Sequence, residues 1–161
     1  MKNLKRMLQK PLLLCVYFIL SFGQTTILIA DTIAETKDEQ VIQNAIKAMW
    51  KAIETDNLSD YMQYIHPDYS VFGEGDVYLH QGKDKEAIDI GDFISRAKGV
   101  RTFMHQPRVV VNGDTAWITY YWSDAGTING KRYTSRGKST RIFVKEKGQW
   151  LCIHSHFTEV P

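Results

Sequence analysis

Asn129 to Pro161, NGKRYTSRGKSTRIFVKEKGQWLCIHSHFTEVP, decides the fold. From Tyr133 to Lys145 and from Gln149 to Val160, apolar, β-branched or aromatic residues alternate with polar ones, which predicts two long antiparallel strands turning at Lys147-Gly148. Successive side chains of a strand point to opposite faces, so Trp150, Cys152, His154 and His156 are expected on one face. Leu151, Ile153, Ser155 and Phe157 are expected on the other. Both faces carry large groups, so the sheet must be covered twice, by its own helices and by something else, often a second subunit.

Upstream of this hairpin the pattern is strand back to residue 102. Thr102–Val111 and Ala116–Ser123 flank Asn112-Gly113-Asp114, a strong hairpin signal, and Ala125-Gly126 and Asn129-Gly130 bracket the next turn. Lys83–Ala97 has helical spacing through Ala87, Ile88, Ile90, Phe93 and Ile94, with Gly99 as its C-terminal stop. Tyr69–Gly73 and Val77–His80 predict a short hairpin around Glu74-Gly75-Asp76. Leu58, Tyr61, Met62 and Ile65 mark a short helix ending near His66-Pro67. Thr36 to Glu39 has the form of a capping box, and Val41, Ile42, Ala45, Ile46, Met49, Trp50 and Ile53 follow at helical spacing over about five turns. Helices early and strands late predict an α+β domain, a cone-shaped curved antiparallel sheet with three helices on its concave face. The mouth of such a cone is the default ligand pocket.

Residues 1–30 read as a signal peptide rather than as part of this domain. Lys2, Lys5, Arg6 and Lys10 form a basic start, Leu12–Phe22 is apolar, and Ala30 or Ala34 would end a cleavage site. Ser21, Gly23, Gln24, Thr25 and Thr26 interrupt the apolar run short of the roughly 20 residues that a membrane span needs. The expectation is an exported protein, periplasmic or secreted, with no membrane association after cleavage. The leader holds four basic residues and no acidic one, so the chain's net charge of +2 becomes −2 without it. No basic stripe remains to neutralise phosphates, which argues against nucleic-acid binding. Outside the leader only Cys152 remains, so no internal disulfide is expected, and Cys152 reads as a small buried hydrophobe.

Helix pair, short hairpin, helix and strand meander resemble the nuclear transport factor 2-like or SnoaL-like superfamily over residues 37–161. Within it, Ser139-Thr140-Arg141-Ile142-Phe143, Gly148-Gln149-Trp150 and His154-Ser155-His156 are similar to the association (hub) domain of calcium/calmodulin-dependent protein kinase II. The resemblance implies a pocket lined by arginines and aromatics. Arg141 matches one such arginine, whereas Trp122 and Phe157 stand where the family pattern would place others. One arginine among aromatics suits a small organic ligand with one acidic or carbonyl group and an apolar body.

Arg141 shares its strand face with Ser139 and Phe143, and its bland alternative is an ion pair with Glu74, Asp76 or Glu146. Trp122, Tyr120, Phe157, Phe93 and His105 complete the expected ligand-binding set. His154 and His156, two apart on a strand, could share a metal only with a third ligand; packing or an interface role is the preferred reading, and no metal or cofactor is expected. An acid or base for catalysis would come from Asp60, Tyr61, Tyr64, Asp92, His105 or Tyr120. Tyr61 and Tyr64 read as helix core, and Asp92 as a solvated position. The first expectation is a non-catalytic ligand binder, a homodimer through the outer face of its sheet. A cofactor-independent isomerase, dehydratase or hydrolase is the alternative, and an oligomerisation module is the second. An enzyme would show a buried acid or histidine of perturbed pKa beside a tyrosine.

Overall fold

The computed structural model describes residues 37–161, so the leader and Thr36 of the capping box lie outside the described residues. Helix α1, residues 37–54, buries Ile42, Ala45, Ile46, Met49 and Ala52 while exposing Lys47 and Lys51. This three-and-four spacing gives one apolar stripe along the helix. Asp56, with φ 56°, ends α1, and Asn57 caps helix α2, Leu58–Met62, through its side chain, which accepts from the Asp60 amide at 3.1 Å. The expected extension of α2 to His66 does not form. Ile65 and His66 already belong to strand β1, Ile65–Phe72, where they are buried.

Strand β1 pairs with the two-residue strand β2, His80–Gln81, through Ser70 opposite Gln81 and Val71 opposite His80. Val77 and Tyr78, expected in that hairpin, lie exposed outside any strand. Helix α3, Lys83–Arg96, passes directly into strand β3, Ala97–Asn112. Gly99 is therefore no helix stop; with φ 63° it sits at an irregularity of β3 between Lys98 and Arg101. A second irregularity, between His105 and Arg108, includes Gln106 at φ 50°. Both bend the longest run of the sheet and help to curl it.

Strands β4, Thr115–Ile128, β5, Lys131–Glu146, and β6, Gln149–Glu159, complete the predicted meander. The six strands are ordered β2-β1-β6-β5-β4-β3. The pairing departs from expectation at one seam, since β1 runs parallel to β6. The chain reaches that seam by crossing from β1 through α3 and the meander. Ala125-Gly126 makes no turn; β4 continues through it, and a Cβ at Gly126 would come within 3.1 Å of the Lys98 carbonyl oxygen.

The concave face carries Ala116, Ile118, Tyr120 and Trp122 from β4, and Gly137, Ser139, Arg141 and Phe143 from β5, all buried. In β6 the expected alternation holds for Trp150 and Cys152 and then changes parity. Ile142 pairs with His154 and Phe143 with Cys152, which leaves Ile153 as an extra residue. This bulge turns Ser155 and Phe157 onto the face of Cys152, and it explains why Cys152 Sγ and Ser155 Oγ lie 3.5 Å apart. At the far end of the sheet, Asp38 accepts from Trp150 Nε1 at 3.0 Å and Lys145 Nζ at 2.8 Å, tying the start of α1 to the β5–β6 hairpin.

Candidate functional site

The three helices and the curled sheet together line a cavity of about 740 Å³. Arg141 projects into it from the middle of β5 and is 3 % exposed. Its Nε donates to Tyr120 Oη at 3.0 Å, its Nη1 to Met49 Sδ at 3.8 Å, and its Cζ sits 4.9 Å from the centre of the Phe157 ring. Among the described residues no carboxylate lies within ion-pair distance of it, and the Cys152 thiol is a further hydrogen-bonding neighbour. The feared ion pairs are taken elsewhere: Glu146 meets His66 at 3.1 Å, and Asp76 meets His80 at 3.8 Å. Burial opposes the arginine's charge, but the surrounding Tyr120, Tyr61, Cys152 and Tyr69 outweigh it and hold the pKa above its ordinary value. A permanent cation with neutral hydrogen-bond partners, lining the cavity, is what remains.

Across the cavity, Glu86 of α3 is 6 % exposed and accepts a 2.6 Å hydrogen bond on Oε1 from Tyr61 Oη of α2. Burial raises the Glu86 pKa; the Tyr61 bond and the nearby Arg141 charge act against that rise without cancelling it. Its other oxygen, Oε2, has no hydrogen-bond partner among the described residues, and Glu86 lines the cavity. Tyr61, itself fully enclosed, has its pKa raised well above the phenol range by burial first and Glu86 second, so it remains a donor.

The outer part of the cavity is acidic. Glu74 follows β1, Asp124 lies on β4 and Glu159 ends β6, and all three line it. Burial raises the Glu74 pKa, with Glu159 and then Asp124 adding to it. Asp124 is raised by burial despite the 3.2 Å bond that Tyr133 Oη donates to its Oδ2. Trp122 Nε1 and Asp124 Oδ1 are buried in this wall without a partner among the described residues.

Of the residues expected from sequence, Arg141, Trp122, Tyr120, Phe157 and Phe93 line this one cavity. His105 does not: it is exposed on β3, with Nε2 2.9 Å from Ser123 Oγ, because it pairs with the outward-facing Tyr121 while its neighbour Met104, opposite Trp122, takes the inner face. Asp60 lies in the first turn of α2, its carboxylate accepting from Asn57 Nδ2 at 2.7 Å, and Asp92 stands at the cavity wall bonded to Arg96. His154 and His156 flank Phe72, with His154 Nδ1 2.9 Å from Ser70 Oγ. Cys152 is fully buried and its thiol pKa is pushed up by that burial, which suits a packing residue.

The sequence reading does not reach Glu86, and it names Tyr61 among the possible acid–base groups while preferring a core role for it. A signal existed: Glu86 precedes Ile90 by four positions and Ile94 by eight, on the apolar stripe of α3. A carboxylate on such a stripe either unfolds the helix locally or finds a buried donor, and Tyr61 is that donor.

A cone of curled sheet, three helices and one enclosed arginine defines a class of pocket-bearing α+β domain. The chain belongs to the SnoaL-like domain family, whose model matches residues 42–161. Over 69 residues it is 30% identical to calcium/calmodulin-dependent protein kinase type II of Caenorhabditis briggsae, a match covering 42% of this chain and 13% of the kinase. In fold it is similar to a protein described as a candidate dehydratase of the nuclear transport factor 2-like family from Streptomyces avermitilis, with TM-score 0.72 and 17% identity over 78% of this chain and 98% of that one. It is similar also to the association domain of the Caenorhabditis elegans kinase, with TM-score 0.62 and 22% identity over 77% and 97% of the two chains. The nuclear transport factor 2-like resemblance is thus borne out for family and fold.

Proposed function

We propose that the domain binds a small organic molecule in the cone, and that Arg141 takes the ligand's carboxylate or carbonyl head while Trp50, Trp122, Phe93 and Phe157 enclose its apolar body. The observation that carries this reading is a buried guanidinium that has only neutral hydrogen-bond partners and lines a cavity of about 740 Å³. A buried charge is costly unless paired, and a charge-assisted bidentate bond from a ligand is the economical pairing available. Trp50 and Trp122 line the cavity, so intrinsic fluorescence reports occupancy. Titration with 3-phenylpropanoate should quench it saturably in the full chain and not in Arg141→Met; Arg141→Lys, which keeps charge but loses the fork, should retain weak binding. Equal quenching in all three proteins would contradict the reading.

A second reading, acid–base catalysis in the same cavity, is favoured by one specific feature: the Tyr61–Glu86 pair is the buried acid beside a tyrosine that catalysis calls for. Glu86 would take a proton from carbon next to a carbonyl and return it, while Arg141 stabilises the enolate oxygen. In deuterium oxide, such a site exchanges the α-proton of a bound keto acid, and Glu86→Gln abolishes the exchange without abolishing binding. Binding with no exchange in either protein leaves the non-catalytic reading.

Two wider elements belong to the same proposal. Export is supported by the basic and apolar character of residues 1–30, and N-terminal sequencing of protein recovered outside the cytoplasm tests it. Self-association is supported by Phe103, Trp117 and Tyr121, exposed on the face of the sheet opposite the cavity, and by kinship to association domains. Sedimentation of the full chain tests it; a monomer at high concentration would refute it.

A further inference from the structure

Strand β2 is only two residues long, and one of the two is a histidine that faces the cavity. His80 stands opposite Val71 of β1, and residues opposed across an antiparallel pair share a face; both line the cavity. Helix α3 packs a second proton carrier beside it. Glu86, Asp89, Ile90 and Phe93 recur at helical spacing along the same wall, so Glu86 and Asp89 stand one turn apart on the cavity side of α3. Asp89 Oδ2 lies 3.0 Å from His80 Nδ1, and Lys85 Nζ bonds to Asp89 Oδ1 while standing 3.5 Å from that same ring nitrogen. Burial works against the charge of Asp89, but the bonds from Lys85 and His80 hold its pKa below the ordinary carboxylate value. An ionised Asp89 can only accept, so Nδ1 carries a hydrogen and Nε2 is the nitrogen left for chemistry. Nε2 is 3.8 Å from Asp76 Oδ2, beyond hydrogen-bond distance, and that oxygen already accepts from the Gly73 amide at 2.9 Å. Glu86 feels this pair: after burial, Tyr61 and Arg141, the Asp89 charge raises its pKa and the His80 charge lowers it.

We propose that His80 is a second catalytic residue of this cavity, the general acid of a β-elimination in which Glu86 is the base, and that the substrate class is a β-hydroxyketone. This rests on the acid–base reading of Glu86 given above and deepens it by naming the partner group and the substrate. Glu86 takes the proton from the carbon next to the carbonyl, and the electron pair of that bond moves into the enolate stabilised by Arg141. The enolate then closes to a carbon–carbon double bond as the β carbon–oxygen bond breaks. Nε2–H of the His80 imidazolium gives its proton to the departing hydroxyl, which leaves as water. The products are an enone and water, and solvent carries the proton from Glu86 back to His80, so both groups are reset with no further reactant. A lone base stops at proton exchange, because hydroxide is a poor leaving group. Asp89 is a positioning residue, fixing the ring through Nδ1.

The test follows enone absorbance when the full chain meets the aldol adduct of acetone and benzaldehyde, or the ether of that adduct with p-nitrophenol. Both substrates give the same enone, but nitrophenoxide departs without needing a proton. His80→Gln should slow elimination from the hydroxyketone by about 10²–10⁴-fold, the range for a positioned acid, and from the ether far less. Asp89→Asn should show the same selectivity with a smaller loss, whereas a merely structural role would slow both substrates alike. If His80→Gln slows both equally or neither, or if the wild type exchanges the α-proton in deuterium oxide without forming enone from the hydroxyketone, the His80 assignment is overturned and the Glu86 reading stands. If the wild type neither exchanges the α-proton nor forms enone from either substrate, both fall together.

Discussion

Tyr61 Oη and Glu86 Oε1, 25 positions apart in the chain, meet at 2.6 Å in the wall of the cone, joining the short helix α2 to α3 by a buried hydrogen bond to a carboxylate. The bond adds a polar link to helices that also pack where Leu58 of α2 approaches Gly91 of α3. Tyr61→Phe removes the donor and strands Oε1 in a dry site, which should cost about 1–3 kcal/mol of unfolding free energy. Denaturant melts measure it. The Glu86→Gln/Tyr61→Phe double variant should lose less than the sum of the two single changes, because the two groups share one interaction.

Glu86 also sets a pH dependence. Its pKa is raised in the fold, so over the interval above the ordinary carboxylate value of 4.5 the folded chain holds a proton that the unfolded chain has released. Stability from this group is therefore full at acid pH and falls as pH rises through the raised value. Glu86→Gln should flatten that part of the profile. Urea midpoints of both proteins between about pH 4 and 8 show the difference. A wild-type curve that stays parallel to that of the variant would mean Glu86 ionises in the fold as it does in water.

Tyr120 holds Arg141 in place through the 3.0 Å bond from Nε. Tyr120→Phe keeps the ring and its edge contact with Trp50, whose centroid is 5.6 Å away, and deletes only the acceptor. The expected cost is about 1.5–3 kcal/mol, the range for hydrogen bonds to charged groups. Carboxylate binding should weaken with it, since the guanidinium loses its orientation; loss of stability with unaltered binding would place the anion elsewhere.

Gly137 lies on β5 directly beneath the Trp122 indole. A Cβ there would stand 2.4 Å from the Thr158 carbonyl oxygen and 2.5 Å from Trp122 Cζ2, one of them backbone that cannot move aside. Gly137→Ala should therefore destabilise by about 1–3 kcal/mol and disturb the Trp122 wall. Thermal melting and the near-ultraviolet tryptophan signal report the two effects separately. Gly113→Ala serves as a comparison, because its Cβ would meet open space and its only penalty is the left-handed backbone at φ 59°.

The meander and the helices were legible because periodicity reports burial, and the concave faces of β4 and β5 keep strict alternation from Ala116 to Trp122 and from Gly137 to Phe143. Arg141 could be placed in the pocket for that reason. The faces of β6 could not be followed past Ile153, since a single extra residue leaves no mark in the alternation and reverses every side chain after it. Phe157 reached the pocket list through resemblance and not through parity. Gly99 and Gly126 were misread as stops because a glycine that bends a strand or lets two backbones approach looks, in sequence, like one that ends an element. Glu86 was missed for a different reason: its role depends on Tyr61, and long-range polar pairing has no periodicity to reveal it.

If the Arg141 guanidinium is the anion-binding group of the cavity, its own resonance must respond to a bound carboxylate. The most direct measurement follows the Arg141 Nε–Hε resonance of the nitrogen-15-labelled full chain during titration with 3-phenylpropanoate. A saturable shift of that resonance is expected, accompanied by shifts at the Trp50 and Trp122 indoles and absent from the exposed Arg108 and Arg132 side chains. An Arg141 resonance that stays fixed while ligand binding saturates elsewhere would contradict it.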